Sequence, residues 1–279
     1  MSPQLEAFIE YIQIIKGLSP KTVDAYRSDL LAFETSLLKP MIQMNHEDVF
    51  SVVSKIANRR TLNRKLSSAN AFFQFCFKSE FTDEKQKFRL TKIPKYLPRY
   101  LEIDDIRKGL ELIDRSTWLG KRDYALILFL FATGTRITEA LSVEKTDLNE
   151  QWVKIRFAKG EKERIVPIAN EAIEALDDYF RAVPKSSSFL WQNYKHESLS
   201  RISAFKITHK YLGVSPHVLR HSYATAMVLG GADLRVVQEL LGHSSMLTTQ
   251  MYTHIEKAVL RDTVLRFHPL KSEDYEIYS

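Results

Sequence analysis

Residues 215–254 read SPHVLRHSYATAMVLGGADLRVVQELLGHSSMLTTQMYTH, and they set groups suited to phosphate chemistry at intervals that packing alone does not demand. Pro216 fits the first position of a helix, so His217 and Arg220, three residues apart, project from one face of its first turn. Arg220 offers a planar, permanently charged fork that can hold two phosphate oxygens, and His217 handles a proton near neutral pH. His243 follows a Leu-Gly pair, and Tyr252 comes nine residues later. Each of these alone is more often a packing residue than a catalyst. Together they make the stretch a candidate active site.

The rest of the chain sets bounds. At 279 residues, 44% hydrophobic and 27% charged, it is ordinary globular material with room for two domains. Its longest apolar run, residues 124–132, is about half of what a bilayer requires. The N-terminus, with Glu6 and Glu10, lacks the basic start of a signal peptide, so a cytoplasmic protein with no membrane partner is expected. The single Cys76, in Phe-Gln-Phe-Cys-Phe, can form no internal disulfide and is expected to pack as a small apolar residue. A net charge of +6 suits a polyanionic partner but is also common among proteins that bind none. Residues 1–98 hold 15 Lys and Arg against 10 Asp and Glu, so this third carries +5 of the +6.

The run His217-Val218-Leu219-Arg220-His221, then Leu241-Gly242-His243, then Tyr252, resembles the C-terminal signature of the tyrosine recombinases, the lambda-integrase family, and its Xer branch in particular. The resemblance extends from Leu18-Ser19-Pro20 to Tyr252-Thr253-His254. Upstream, Ala132-Thr133-Gly134-Thr135-Arg136-Ile137-Thr138-Glu139 puts an arginine just past a glycine break, with a carboxylate three residues on. Alone this could be a structural ion pair. It resembles the family's A-T-G-x-R-x-x-E box, which makes Arg136 the first catalytic arginine and Glu139 its support, with Thr135 replacing the more usual Leu. Residues 152–157 alternate, 159–162 turn and 164–168 return, a β-hairpin. The family pattern G-K-G-x-K-x-R stands here as Ala158 to Arg164, with Ala in place of the first Gly, and assigns Lys159 the catalytic role, with Lys162 as its rival.

Towards the N-terminus, helices are expected at residues 5–15, from Pro20 with Ser19 as N-cap, at 45–56, and through Leu62, Leu66, Ala69, Phe73 and Cys76. Arg59, Arg60, Arg64 and Lys65 crowd the start of that fourth helix against its dipole, which reads either as a solvated face or as phosphate contact. The stretch resembles the last long helix of the recombinase core-binding domain, which favours DNA. Two prolines and several basic residues in RLTKIPKYLPRY mark a linker. Further helices are expected at 103–113, 124–132, 171–183 and 199–212, and residues 255–270 carry a loose stripe of Ile255, Val259 and Phe267.

The resemblance thus implies a mainly α protein with a small β-sheet in its catalytic domain. It would form a two-domain DNA clamp with a helical, SAM-like core-binding domain at residues 1–90, a linker at 91–100 and a catalytic domain at 101–279. The last part would include a subunit-docking helix, unless that helix packs on its own domain, and a tail. Implied too are a 3′-phosphotyrosyl intermediate on Tyr252, chemistry with no metal or other cofactor, and double-stranded DNA with a two-armed site. Four protomers would act on two duplexes, as a homotetramer or with a paralogous recombinase, and a DNA translocase could serve as activator. A mobile-element integrase shares this chemistry, a type IB topoisomerase would relax supercoils as a monomer, and an inactive DNA-binding protein is disfavoured because all six catalytic positions are filled.

Overall fold

The computed structural model describes residues 1–93, 99–149, 151–156, 163–184, 187–242 and 254–270, with the side chains of 254–257 left aside. The chain divides into two units, Met1–Tyr96 and Leu97–Ser279.

The first unit is helical. Helix α1 (Pro3–Glu10) runs into a π-helical turn at Tyr11–Ile15, followed by α2 (Pro20–Leu37), α3 (His46–Val53) and α4 (Arg59–Lys78). Each start has a polar cause. Ser19 accepts from the Thr22 amide, Asn45 and Asp48 cap each other reciprocally, and Asn58 accepts from the amides of Arg60 and Thr61. Leu5, Phe8, Leu30, Phe33, Ala69, Phe72, Phe73 and the lone Cys76 fill one core, and burial pushes the Cys76 thiol up to about 12, which keeps it an inert apolar filler. Beyond α4 the chain lies back along it. Asn70 exchanges two hydrogen bonds with the backbone of Phe88, and Asn63, two helical turns earlier, does the same with Thr91.

The second unit is built around α6 (Trp118–Thr133), in which Ala125 to Ala132 are all completely buried. Helix α5 (Ile103–Glu111) precedes it and α7 (Ile137–Ser142) follows. Then comes an antiparallel sheet of β1 (Leu148–Asn149), β2 (Trp152–Ile155) and β3 (Arg164–Pro167), in that order, with Val153 opposite Val166 and Ile155 opposite Arg164. Helices α8 (Asn170–Ala182), α9 (Arg201–Leu212), α10 (Pro216–Leu229), α11 (Leu234–Leu241) and α12 (His254–Phe267) complete it. The core helix α6 packs on α8 and α10. Among the described residues no helix is long and apolar enough to cross a membrane.

The last helix departs from the expected stripe. Among its described side chains Leu260, Thr263 and Val264 are the buried positions of α12, whereas Val259 is half exposed, and the helix packs on α10, α11 and β3 of its own domain. Just past it, His268 is buried between Phe131 and Tyr223. Its Nε2 donates to the Phe131 carbonyl at 3.3 Å and its Nδ1 accepts from the Leu270 amide at 3.0 Å. Burial drives its pKa down to about 4, so the ring is neutral and serves as a fixed polar peg. Residues 260–270 therefore belong to the catalytic core of this chain. Docking on a neighbouring subunit cannot use Leu260, Val264 or Leu270 while that packing holds.

Candidate active site

The turn between α6 and α7 is shaped by Gly134. Its φ of 58° is left-handed, and a Cβ there would come within 2.5 Å of the Tyr223 ring and 2.9 Å of Leu241, so only glycine fits. Thr135, standing where the family has Leu, is buried and bonds its hydroxyl to that of Thr133 at 2.9 Å; since Thr133 donates to the Phe129 carbonyl, Thr135 is the donor of the pair. The hydroxyl is thus satisfied internally. This turn delivers Arg136 to the N-cap position of α7, with Glu139 three residues on.

Glu139 is the hub. Its Oε2 accepts from the Arg136 amide at 2.8 Å and its Oε1 from Arg136 Nη1 at 2.7 Å. Arg164 donates Nη2 to Oε2 at 2.9 Å and Nη1 to Oε1 at 3.3 Å, and Arg220 Nη1 lies 3.9 Å from Oε2. Burial by itself pushes the Glu139 pKa up. The Arg164 fork and the two Arg136 donors outweigh it, and the net result lies below the ordinary carboxylate value. Among the described residues, one carboxylate set among three guanidiniums gives the cluster a net positive charge, the field an anionic phosphate requires. Arg136, with its side chain 39% exposed, is the member that faces solvent.

Arg220 reaches in from α10. It is buried, and its two terminal nitrogens donate to the Gly134 and Leu241 carbonyls at 2.8 Å each, spanning the turn before Arg136 and the end of α11. The last carbonyls of a helix lack intrahelical partners and form its negative pole. At α11 they are met by cations: Arg220 takes Leu241, and Arg164 Nε takes Leu240 at 2.9 Å. Gly242 then turns left-handed at φ 69°. His217 lies one turn before Arg220 on α10 and is exposed. The structure therefore brings Arg136 and Arg220 to the Glu139 carboxylate and sets His217 on the same helix as Arg220. Lys159, its rival Lys162, His243 and Tyr252 lie outside the described residues.

Arg164 was missed as a member of this group. It alternates with Val166 on β3 and pairs with the buried Ile155, so strand parity sends it inward. An arginine at an inward position signals a buried partner.

On α4, Arg59 and Arg60 are exposed at the helix start. Arg64 and Lys65 have a second employer. The buried Asp29 of α2 accepts from Arg64 Nη1 at 2.6 Å and from Ser68 at 3.0 Å, with Lys65 Nζ at 3.7 Å and poised over the Phe33 ring. Arg64 stays half exposed, while Lys65 is 16% exposed and is largely used to close the core.

The phage integrase family matches residues 99–258, and the phage integrase N-terminal SAM-like domain matches residues 5–80. The chain is 36% identical to tyrosine recombinase XerD of Staphylococcus epidermidis and 35% identical to that of Staphylococcus haemolyticus, in each case over 96% of this chain and 99% of the relative. A dimer of lambda integrase residues 75–356 bound to a COC′ core site shares the fold, with a TM-score of 0.70 at 16% identity over 89% of this chain and 97% of that one. Since these matches run through both units and cover the arginine box, the chain belongs to the phage integrase family, as a Xer-type tyrosine recombinase.

Proposed function

We propose that this recombinase cleaves and rejoins duplex DNA at a two-armed site, with Arg136, His217, Arg220 and His243 on the scissile phosphate, Tyr252 as nucleophile and Lys159 as general acid. The observation that carries the reading is the buried carboxylate Glu139, held by Arg136 at 2.7 Å with Arg220 Nη1 3.9 Å away, a cationic cluster beside the helix that displays His217. A phosphodiester repels nucleophiles and has a poor alkoxide leaving group. Guanidinium forks answer the first problem by stabilising the charge that builds on the non-bridging oxygens. The Tyr252 oxygen then bonds to phosphorus as its proton leaves, with His217 removing that proton or bonding the phosphate. The bond to the 5′ oxygen breaks, and Lys159 protonates that departing oxygen to leave a 5′ hydroxyl. The resulting 3′-phosphotyrosine conserves the bond energy, so a 5′ hydroxyl of another strand reverses the step.

Full-length similarity to Xer recombinases supports resolution of chromosome or plasmid dimers as the role, with four protomers on two duplexes in the cytoplasm. A paralogous partner and an activating translocase are compatible additions. Arg59, Arg60 and Arg64 are the α4 residues placed to meet DNA phosphates, Lys65 less so because of Phe33 and Asp29. The test of the reading is a nicked suicide duplex whose half-sites the protein has selected from a randomised pool. A covalent protein–DNA complex supports it, and stable specific binding with no covalent product refutes it.

The role of Lys159 has its own prediction. Loss of a positioned acid typically costs about a hundred- to ten-thousandfold, so Lys159→Ala should cleave that much more slowly. Replacing the bridging 5′ oxygen by sulfur makes the leaving group far less basic, and the defect should then largely vanish. Lys162→Ala should cleave nearly normally on both substrates. If sulfur rescues Lys162→Ala and leaves Lys159→Ala impaired, the acid is Lys162.

A further inference from the structure

Arg164 sits where three segments with chemistry on them meet. It opens β3, the strand that leaves the hairpin to which the sequence assigns Lys159. Its Nη1 and Nη2 hold the two oxygens of Glu139, the carboxylate that also binds the Arg136 side chain and amide. Its Nε holds the Leu240 carbonyl, and a Cβ on Gly242 would lie 2.8 Å from Nη1, so the left-handed glycine rests against the guanidinium. The side chain is 3% exposed, too deep to reach a substrate phosphate. A guanidinium buried this far persists only where its donors are used, and only the planar fork can serve a carboxylate and a carbonyl together.

We infer that Arg164 is a positioning residue of the cleavage site: it locks the carboxylate that aims Arg136 and fixes the point from which the chain leaves α11 for His243. Misplacing catalytic groups by about an ångström costs on the order of a hundredfold. This inference rests on the recombinase reading, and the experiment separates the two.

The probe is the nicked duplex with selected half-sites, and the measurements are thermal melting, DNA affinity and the single-turnover cleavage rate at saturating protein. Arg164→Met should bind DNA within about twofold of the unmodified protein yet cleave roughly ten- to a hundredfold more slowly. Arg164→Lys, which keeps the charge and loses the fork, should recover part of the rate. A role confined to stability would lower the melting temperature and leave the rate of folded, DNA-bound protein unchanged; that result overturns the inference while the recombinase reading stands. Absence of covalent product from the unmodified protein overturns that reading itself. Should Arg164→Met fail to fold, Arg164→Lys decides, because it keeps the charge and loses the fork that holds both Glu139 oxygens. Slow cleavage with ordinary DNA affinity supports positioning, and cleavage at the unmodified rate refutes it.

Discussion

Tyr252→Phe is expected to eliminate the covalent complex, a loss of at least about ten-thousandfold, while leaving specific DNA affinity within about twofold. The substitution removes one hydroxyl and no charge. If that oxygen is the nucleophile, no rearrangement of the site replaces it, because the roles proposed for the arginines and His217 stabilise attack but supply none. Binding, by contrast, depends on cationic contacts spread along the duplex, which a phenol contributes little to. Gel-resolved covalent product and mobility-shift affinity, measured on the same selected duplex, check the two halves separately. Covalent product persisting in Tyr252→Phe would move the nucleophile elsewhere.

Arg220→Ala carries the second large effect, and the structure divides it into two parts. If Arg220 is the phosphate ligand proposed above, its loss should slow cleavage at least about a hundredfold, in line with other preorganised anion sites. As a structural clamp, it also strands the buried Gly134 and Leu241 carbonyls, each costing about 1–3 kcal/mol. The variant should therefore melt clearly lower as well as cleave slowly. Arg136→Ala should show a similar cleavage defect with a smaller drop in melting temperature, since its side chain is 39% exposed. Equal destabilisation by the two would contradict the burial of Arg220 as the cause. Arg220→Lys should retain part of the charge effect yet melt low, because one ammonium cannot span both carbonyls.

Much of this was readable in advance, for local reasons. The unbroken apolar run of α6, the Ser19 and Pro20 start of α2, the inward stripe of α4 and the three-residue interval from Arg136 to Glu139 are all short-range signals. What escaped depends on distant partners. The first turns of α6 looked polar because Arg122 and Asp123 form a buried pair, and Arg122 reaches the Gln192 carbonyl 70 residues away. Strand β1 is two residues long and exists through its pairing with Val153 and Trp152. On α12 the expected stripe departs at Val259, which is exposed, while Phe267 packs on the core and the buried face runs from Leu260 and Val264 to the polar ring of His268, which apolar periodicity does not register. Within the site, the sequence named Arg220 for its phosphate fork but gave no sign of its carbonyl clamp. It also named Arg164 only as the end of the hairpin pattern, because Glu139 and Leu240, which it binds, come from α7 and α11.

The most direct test of the central claim is the chemical identity of the protein–DNA bond. The covalent complex trapped on the nicked duplex can be digested with protease and nuclease and the linked peptide sequenced by mass spectrometry. The account predicts a nucleotide 3′-phosphate on the peptide containing Tyr252. A linkage to any other residue, or to a 5′ phosphate, would contradict it.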